Sequence, residues 1–218
     1  MKLIPDAEHD ELVLTDRPLI VCDIDEVVLE FITPFQAFLV ANGHELRATS
    51  FRLNGNVFSL ADGSETPNAE VARLEEAFFA AQDAWQTPVP RAAESLERLA
   101  RDADIVFLTA MPPRHRALRR GLLSKYGFDY PMIATEAAKG PAVSALHGER
   151  PQRLVFIDDI FINLNSVRSH VPQALLLNLI ANDTFRALAP NPGDDVVLPS
   201  DWPHAEEVIR AHFAQAPD

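Results

Sequence analysis

Pro18-Leu-Ile-Val-Cys22 is apolar at every position, and Asp23-Ile24-Asp25 follows it at once. A strand with one solvated face alternates polar and apolar residues. A run that is apolar throughout reads as a strand covered on both faces, as in a parallel sheet. Ile105-Val-Phe-Leu108, Leu154-Val-Phe-Ile157 and Ala174-Leu-Leu-Leu177 read the same way, and Pro131-Met-Ile-Ala134 is a weaker fifth run. Helical patterns lie between and after them, at 91–101, 113–126, 139–147, 160–170 and 205–213, with Gly127 placed to end the second. Strand and helix alternate. The expected fold is therefore α/β, a doubly wound, mostly parallel sheet of Rossmann-like type with right-handed crossovers.

The alternation breaks between about 31 and 90. Thr33-Pro34 reads as a cap and first turn, with Phe35 and Phe38 on one face before Gly43 stops the helix. Residues 51–60, with Asn54-Gly55 in the middle, read as a β-hairpin with a tight turn. Thr66-Pro67 starts a second helix running to about Trp85, and Thr87-Pro-Val-Pro90 reads as a stiff linker back to the core. The expected organisation is a core of 1–31 and 88–218, with a small helical and hairpin cap, 32–87, inserted after the first strand.

A chain of 218 residues suits one domain with a modest insert. The single cysteine, Cys22, can close no internal disulfide and build no Cys/His zinc site; it reads as core packing. The net charge of -13 repels polyphosphate backbones and anionic lipid, which argues against a nucleic acid polymer or a membrane as partner. The first fourteen residues carry Asp6, Glu8, Asp10 and Glu11 and read as no signal peptide, and no run approaches the roughly 18 apolar residues of a membrane span. A cytoplasmic location is the expectation.

Ligands of open parallel sheets bind beyond the carboxyl ends of the strands. There the first run delivers Asp23 and Asp25, the second Thr109, and the third Asp158-Asp159, while Lys139 opens a helix. Singly, each has a plain reading: the acidic pair as the cap of the next helix, Thr109 as a turn hydroxyl, Lys139 as a solvated helix residue. Together they gather up to four carboxylates about one lysine, which is unstable without a bound cation. An all-oxygen site selects Mg²⁺ or a similar hard ion, and a metal, a hydroxyl and an ammonium together suit a phosphoryl group.

Four segments carry a resemblance. Val21-Cys-Asp-Ile-Asp-Glu-Val-Val28, Phe107-Leu-Thr-Ala110, Lys139-Gly140 and Phe156-Ile-Asp-Asp-Ile-Phe-Ile-Asn163 resemble, in order, the four motifs of the haloacid dehalogenase superfamily over roughly residues 17–183. The resemblance implies an aspartyl-phosphate formed on Asp23, which also touches the metal. It implies a general acid and then base at Asp25, whose carbonyl ligates Mg²⁺. Thr109 would bond the phosphoryl group and Lys139 would offset charge. Asp159 would be a direct metal ligand and Asp158 a second-layer or water-mediated one. An acid at Asp25 is needed by alkoxide and not by halide leaving groups, so the implied activity is a Mg²⁺-dependent phosphatase acting on a small phosphorylated metabolite.

Two departures stand beside the match. Glu26 occupies a position where many members carry glycine, and Asn163 one where single-acid variants carry aspartate. Glu26 motivates an alternative, a non-catalytic binder of a phosphorylated ligand or protein. A phosphotransferase or phosphomutase is another, because the same intermediate can pass to an alcohol. Arg114 and His115 are candidate substrate contacts, against a plain reading as a solvated helical turn. Arg116, Arg119 and Arg120 read as the polar face of their helix. Phe51, Arg52, Asn54, Asn56 and Phe58 are candidates to overhang the site, while Phe78, Phe79 and Trp85 read as core.

Overall fold

The computed structural model describes residues 8–9 and 12–215; residues 1–7, 10 and 11, on which the leader reading partly rests, lie outside the described residues. Seven strands form one sheet in the order β1-β6-β5-β2-β7-β8-β9. They are β1 Glu8–His9, β2 Leu19–Cys22, β5 Asp104–Thr109, β6 Met132–Ala134, β7 Leu154–Asp158, β8 Leu175–Asn178 and β9 Val196–Val197. Six run parallel, and β1 lies antiparallel on the β6 edge. Each of the five apolar runs is thus a strand.

Successive side chains of a strand face opposite sides, so a doubly covered strand feeds two cores. On one face Ile20, Cys22, Phe107 and Ile157 pack against Leu96 of α4 (Ala92–Leu99), Leu122 of α5 (Arg116–Lys125) and Ile209 of α9 (Trp202–Phe213). On the other, Val21, Val106 and Phe156 meet Val143 of α6 (Lys139–His147) and Leu164 and Val167 of α7 (Phe161–His170). Cys22 is fully buried, and burial pushes its thiol well above the ordinary range. None of the described helices is long and apolar enough to cross a membrane.

Between β2 and β5 the chain builds α1 (Ile32–Ala41), β3 (His44–Leu46), β4 (Val57–Ser59), α2 (Asn68–Ala80) and α3 (Gln82–Trp85). Phe35, Phe38, Leu39, Val57, Val71, Leu74 and Phe78 close a separate apolar cluster there. Thr87-Pro88 returns alongside the departing chain, with Glu30 N–H donating to the Thr87 carbonyl and Val89 N–H to that of Val28.

Several local expectations need correction. The hairpin is β3 against β4, not 51–60 folded on itself. Asn54-Gly55 does turn, but within the long connection. That loop is organised by the buried Asn56 side chain, which accepts from the Thr49 hydroxyl and donates to the Ser50 and Arg52 carbonyls. Tertiary bonds have overridden the tight-turn signal. Thr33 is no cap, since α1 starts before it at Ile32. The second helix breaks at Ala81 rather than running through to Trp85. The last helix starts at Trp202, where the Asp201 carboxylate accepts from His204 N–H. β1, β9 and a short α8 (Asp183–Leu188) had no counterpart among the sequence expectations.

Candidate active site

β2 is the middle of the sheet. Cys22 pairs with Phe107 of β5 on one side and Ile157 of β7 on the other, so the carboxyl ends of three strands share one edge. Asp23 leaves β2 there, Thr109 ends β5 and Asp158 ends β7. The turn after β2 winds on Ile24, whose carbonyl accepts the N–H groups of Val28 and Leu29. It needs one left-handed residue, and that residue is Glu26, at φ +64. Glycine takes that conformation freely, whereas a side chain there is strained. Here the side chain gives something in return. The buried Glu26 carboxylate accepts the N–H groups of Phe31 and Ile32 at the start of α1, and that of Asn182 ahead of α8. It satisfies donors that a helix start leaves open. Burial raises its pKa and those three bonds oppose the rise.

Lys139 opens α6 and is buried, with Nζ 2.7 Å from Asp23 and 2.7 Å from Asp158. Burial opposes its charge, but Asp158 and Asp23 outweigh it and hold the ammonium above the ordinary lysine range. Asp23 is pushed up by burial, pulled back by Lys139, and pushed up again by Asp158 and Asp25. The next residue sets the approach of the two helices. A Cβ on Gly140 would fall against the Ser166 carbonyl of α7 and within 2.6 Å of His170 Nδ1. Gly140→Ala therefore forces α6 off α7 and moves Lys139 with it. Urea unfolding should show a loss of about 1–3 kcal/mol, whereas an unchanged midpoint would mean the helices yield freely.

Asp158 is fully buried and saturated. One oxygen meets Lys139; the other accepts the Ile160 N–H at 2.8 Å and the Asn163 amide at 3.0 Å. The bond to Ile160 keeps part of the capping reading, and Asn163 positions Asp158. Asp159 differs. Its backbone carbonyl accepts from Asn178, but its partly buried carboxylate has no hydrogen bond or ion pair among the described residues. Burial, then Asp158 and Asp23, raise its pKa well above the usual carboxylate range. Carboxylate oxygens of Asp23, Asp158 and Asp159 lie within 4.8 Å of one another. The donors are all hard oxygens, and one carboxylate lacks a counter-charge. That chemistry fits Mg²⁺.

Asp25 carries a second cation that sequence reasoning missed. Arg119 of α5 is fully buried rather than on the polar face, and its guanidinium lies 2.9 Å from Asp25 Oδ1. Gln86 donates to the same oxygen at 2.8 Å. Arg119 also donates to the side-chain carbonyls of Gln82 and Gln86, so the network ties α5 to α3 and the returning linker. The signal available was Arg119 lying one helical turn from Leu122 and Leu123, but arginine at such a position reads first as surface. Thr109 is buried, and its hydroxyl accepts the Met111 N–H at 3.1 Å, which leaves its own proton to donate.

These residues floor a cavity of about 360 Å³ bounded by Asp23, Asp25, Thr109, Asp159 and Asn163. Of the five candidates to overhang the site, Phe51 and Arg52 line the cavity; Asn54, Asn56 and Phe58 do not. Phe58 instead stacks under Arg47, 4.3 Å from its ring centroid. Phe79 packs on the apolar cluster of Phe35, Phe38 and Phe78 and also lines the cavity, whereas Phe78 and Trp85 pack on Phe38. Arg114 and His115, candidates for substrate contact, are not brought there. Both pair with Glu76 of α2, His115 at 2.7 Å, and neither lines the cavity.

No family model and no curated protein matches the chain. Solved structures do. A haloacid dehalogenase-like family hydrolase from Streptococcus pneumoniae superposes with a TM-score of 0.56 at 15% identity, covering 92% of this chain and 100% of the other. A haloacid dehalogenase-like family hydrolase from Xanthomonas campestris gives 0.57 at 12% identity, covering 91% and 97%. A phosphonoacetaldehyde hydrolase-like protein from Oleispira antarctica gives 0.56 at 13%, covering 93% and 95%. At such identities the likeness is one of fold, and it spans nearly the whole of each chain.

Proposed function

From the premise of a haloacid dehalogenase-like fold, we propose that this chain is a Mg²⁺-dependent phosphatase. It hydrolyses a small phosphate monoester through an aspartyl-phosphate on Asp23, with the segment 32–87 as the cap over the site. The observation that carries the reading is the convergence of Asp23, Asp158 and Asp159 within 4.8 Å, beside a lysine bridging two of them.

Asp23 and Asp159 would hold the ion, with the Asp25 carbonyl and with Asp158 through a bridging water; when bound it neutralises phosphoryl charge. An Asp23 carboxylate oxygen attacks phosphorus, and the bond from phosphorus to the alcohol oxygen breaks. Thr109 donates to a phosphoryl oxygen. Arg119 and Gln86 both sit on Asp25 Oδ1. With Oδ1 so engaged, Oδ2 is the oxygen left to give a proton to the departing alkoxide. It then takes a proton from water, whose oxygen attacks phosphorus as the bond to Asp23 breaks. Enzyme and proton are restored, with alcohol and inorganic phosphate as products. The three N–H groups that engage Glu26 give its carboxylate a structural role at the start of α1, which supports a reading in which it leaves the chemistry at Asp23 intact.

The test is phosphate release from a panel of esters, with Mg²⁺ and with a chelator. Release that needs the metal is expected; none from any ester with metal overturns the proposal. Asp25→Asn should lower kcat by about 10²–10⁴ for alkyl esters, the usual worth of an acid and base. The loss should shrink for aryl esters, whose phenolate leaves more readily unprotonated. An equal loss for both would contradict the acid role.

A further inference from the structure

Above its acidic floor the cavity changes character. Phe31, Phe51, Leu53, Phe79, Met111 and Phe185 form its walls. They come from the approach to α1, the β3–β4 connection, α2, the loop after β5, and α8, so the apolar surface is assembled from five separate segments. Asn163 also lines it, with its amide nitrogen committed to Asp158. A sugar or glycerol phosphate placed here would press hydroxyls against these walls, and each buried hydroxyl left unpaired carries a desolvation penalty. An aromatic ring gains from the same surface.

Two charged side chains face the cavity from above the floor. Arg52 is exposed at the rim, where solvent screens it. Glu75 is half-buried and, among the described residues, has no hydrogen bond or ion pair. It stands one helical turn before Phe79 on α2, so both present to the cavity from one helix face. Its neighbour Glu76 looks elsewhere and is held by Arg114 and His115, which lower its pKa to about 2. Burial alone raises that of Glu75. A carboxylate left without a cation beside apolar walls is completed by a positive group on the ligand.

We propose that the substrate is the phosphate monoester of an aromatic alcohol bearing a basic nitrogen. The ring packs among the four phenylalanines and the nitrogen pairs with Glu75. The assignment rests on the phosphatase reading, because the phosphoryl group must sit over Asp23 for the alcohol to reach these walls.

The experiment compares kcat/KM for tyramine phosphate, phenyl phosphate, glycerol 2-phosphate and glucose 6-phosphate with Mg²⁺, and affinities of the same four for the Asp23→Asn variant. Phenyl phosphate should exceed the two polyol esters by about tenfold or more, and tyramine phosphate should exceed phenyl phosphate by a further factor of about ten. Glu75→Gln should abolish the preference of tyramine phosphate over phenyl phosphate. Hydrolysis that favours a polyol ester, or an amine preference that survives Glu75→Gln, overturns the substrate assignment and leaves the phosphatase reading standing. No hydrolysis of any ester, with Asp23→Asn still binding tyramine phosphate more tightly than glucose 6-phosphate, overturns the phosphatase reading and keeps the ligand class. Absence of both turnover and selective binding removes both.

Discussion

Asp23→Asn should abolish phosphate release, with kcat falling by about 10⁴-fold or more, because the substitution removes the attacking oxygen rather than an assisting group. The amide occupies the same space at the end of β2, so the sheet edge has no reason to move. It also takes away one of the carboxylates crowded around Lys139, whose repulsion and burial raise the Asp23 pKa. The variant should therefore fold, which circular dichroism and thermal unfolding check. A folded Asp23→Asn protein with unimpaired turnover would remove Asp23 from the chemistry.

Lys139→Met should have the largest effect on stability. The ammonium is 1% exposed and bridges Asp23 and Asp158, which are 6% and 0% exposed. Methionine fills the space of the stem but leaves two carboxylates buried without their cation. Removing one partner of a buried ion pair costs roughly 3–5 kcal/mol. Without the lysine, the charge on Asp23 is opposed by burial and by Asp158 and Asp25 alone, so the loss should be greater at neutral pH than near pH 5, where carboxylates can take up protons. Urea midpoints at the two pH values measure this, and Mg²⁺ should return part of the loss by supplying another counter-charge. A change of less than about 1 kcal/mol would mean the bridge is energetically idle, as exposed pairs often are.

The sequence made the frame of the molecule readable where one physical signal dominates. Doubly covered strands are apolar along their whole length, so the runs at 19–22, 105–108, 132–134, 154–157 and 175–177 declare themselves, and strand-end aspartates stand out against them. Elements held by long-range bonds are another matter. Glu26 has its meaning in three backbone N–H groups, one of which lies 156 residues away at Asn182. Nothing local separates such a residue from an intrusive charge. Arg119 is similar: its partners Asp25, Gln82 and Gln86 belong to other segments, and an arginine in a helix is ordinarily at the surface. The hairpin of β3 and β4 was hidden because Asn56 organises its connection through side-chain bonds. β1, β9 and α8 are too short for periodicity to register, yet α8 delivers Phe185 to the cavity. The walls of the site were thus much less legible than its floor.

The central claim is that Asp23, set beside a divalent ion by Asp158 and Asp159, takes up the phosphoryl group. Rapid acid quench of the protein during turnover with Mg²⁺, followed by mass spectrometry of its peptides, tests that claim most directly. The account predicts a phosphoryl adduct on Asp23, absent when Mg²⁺ is chelated. Steady turnover with no adduct on Asp23 at any quench time, or an adduct at another residue, would contradict it.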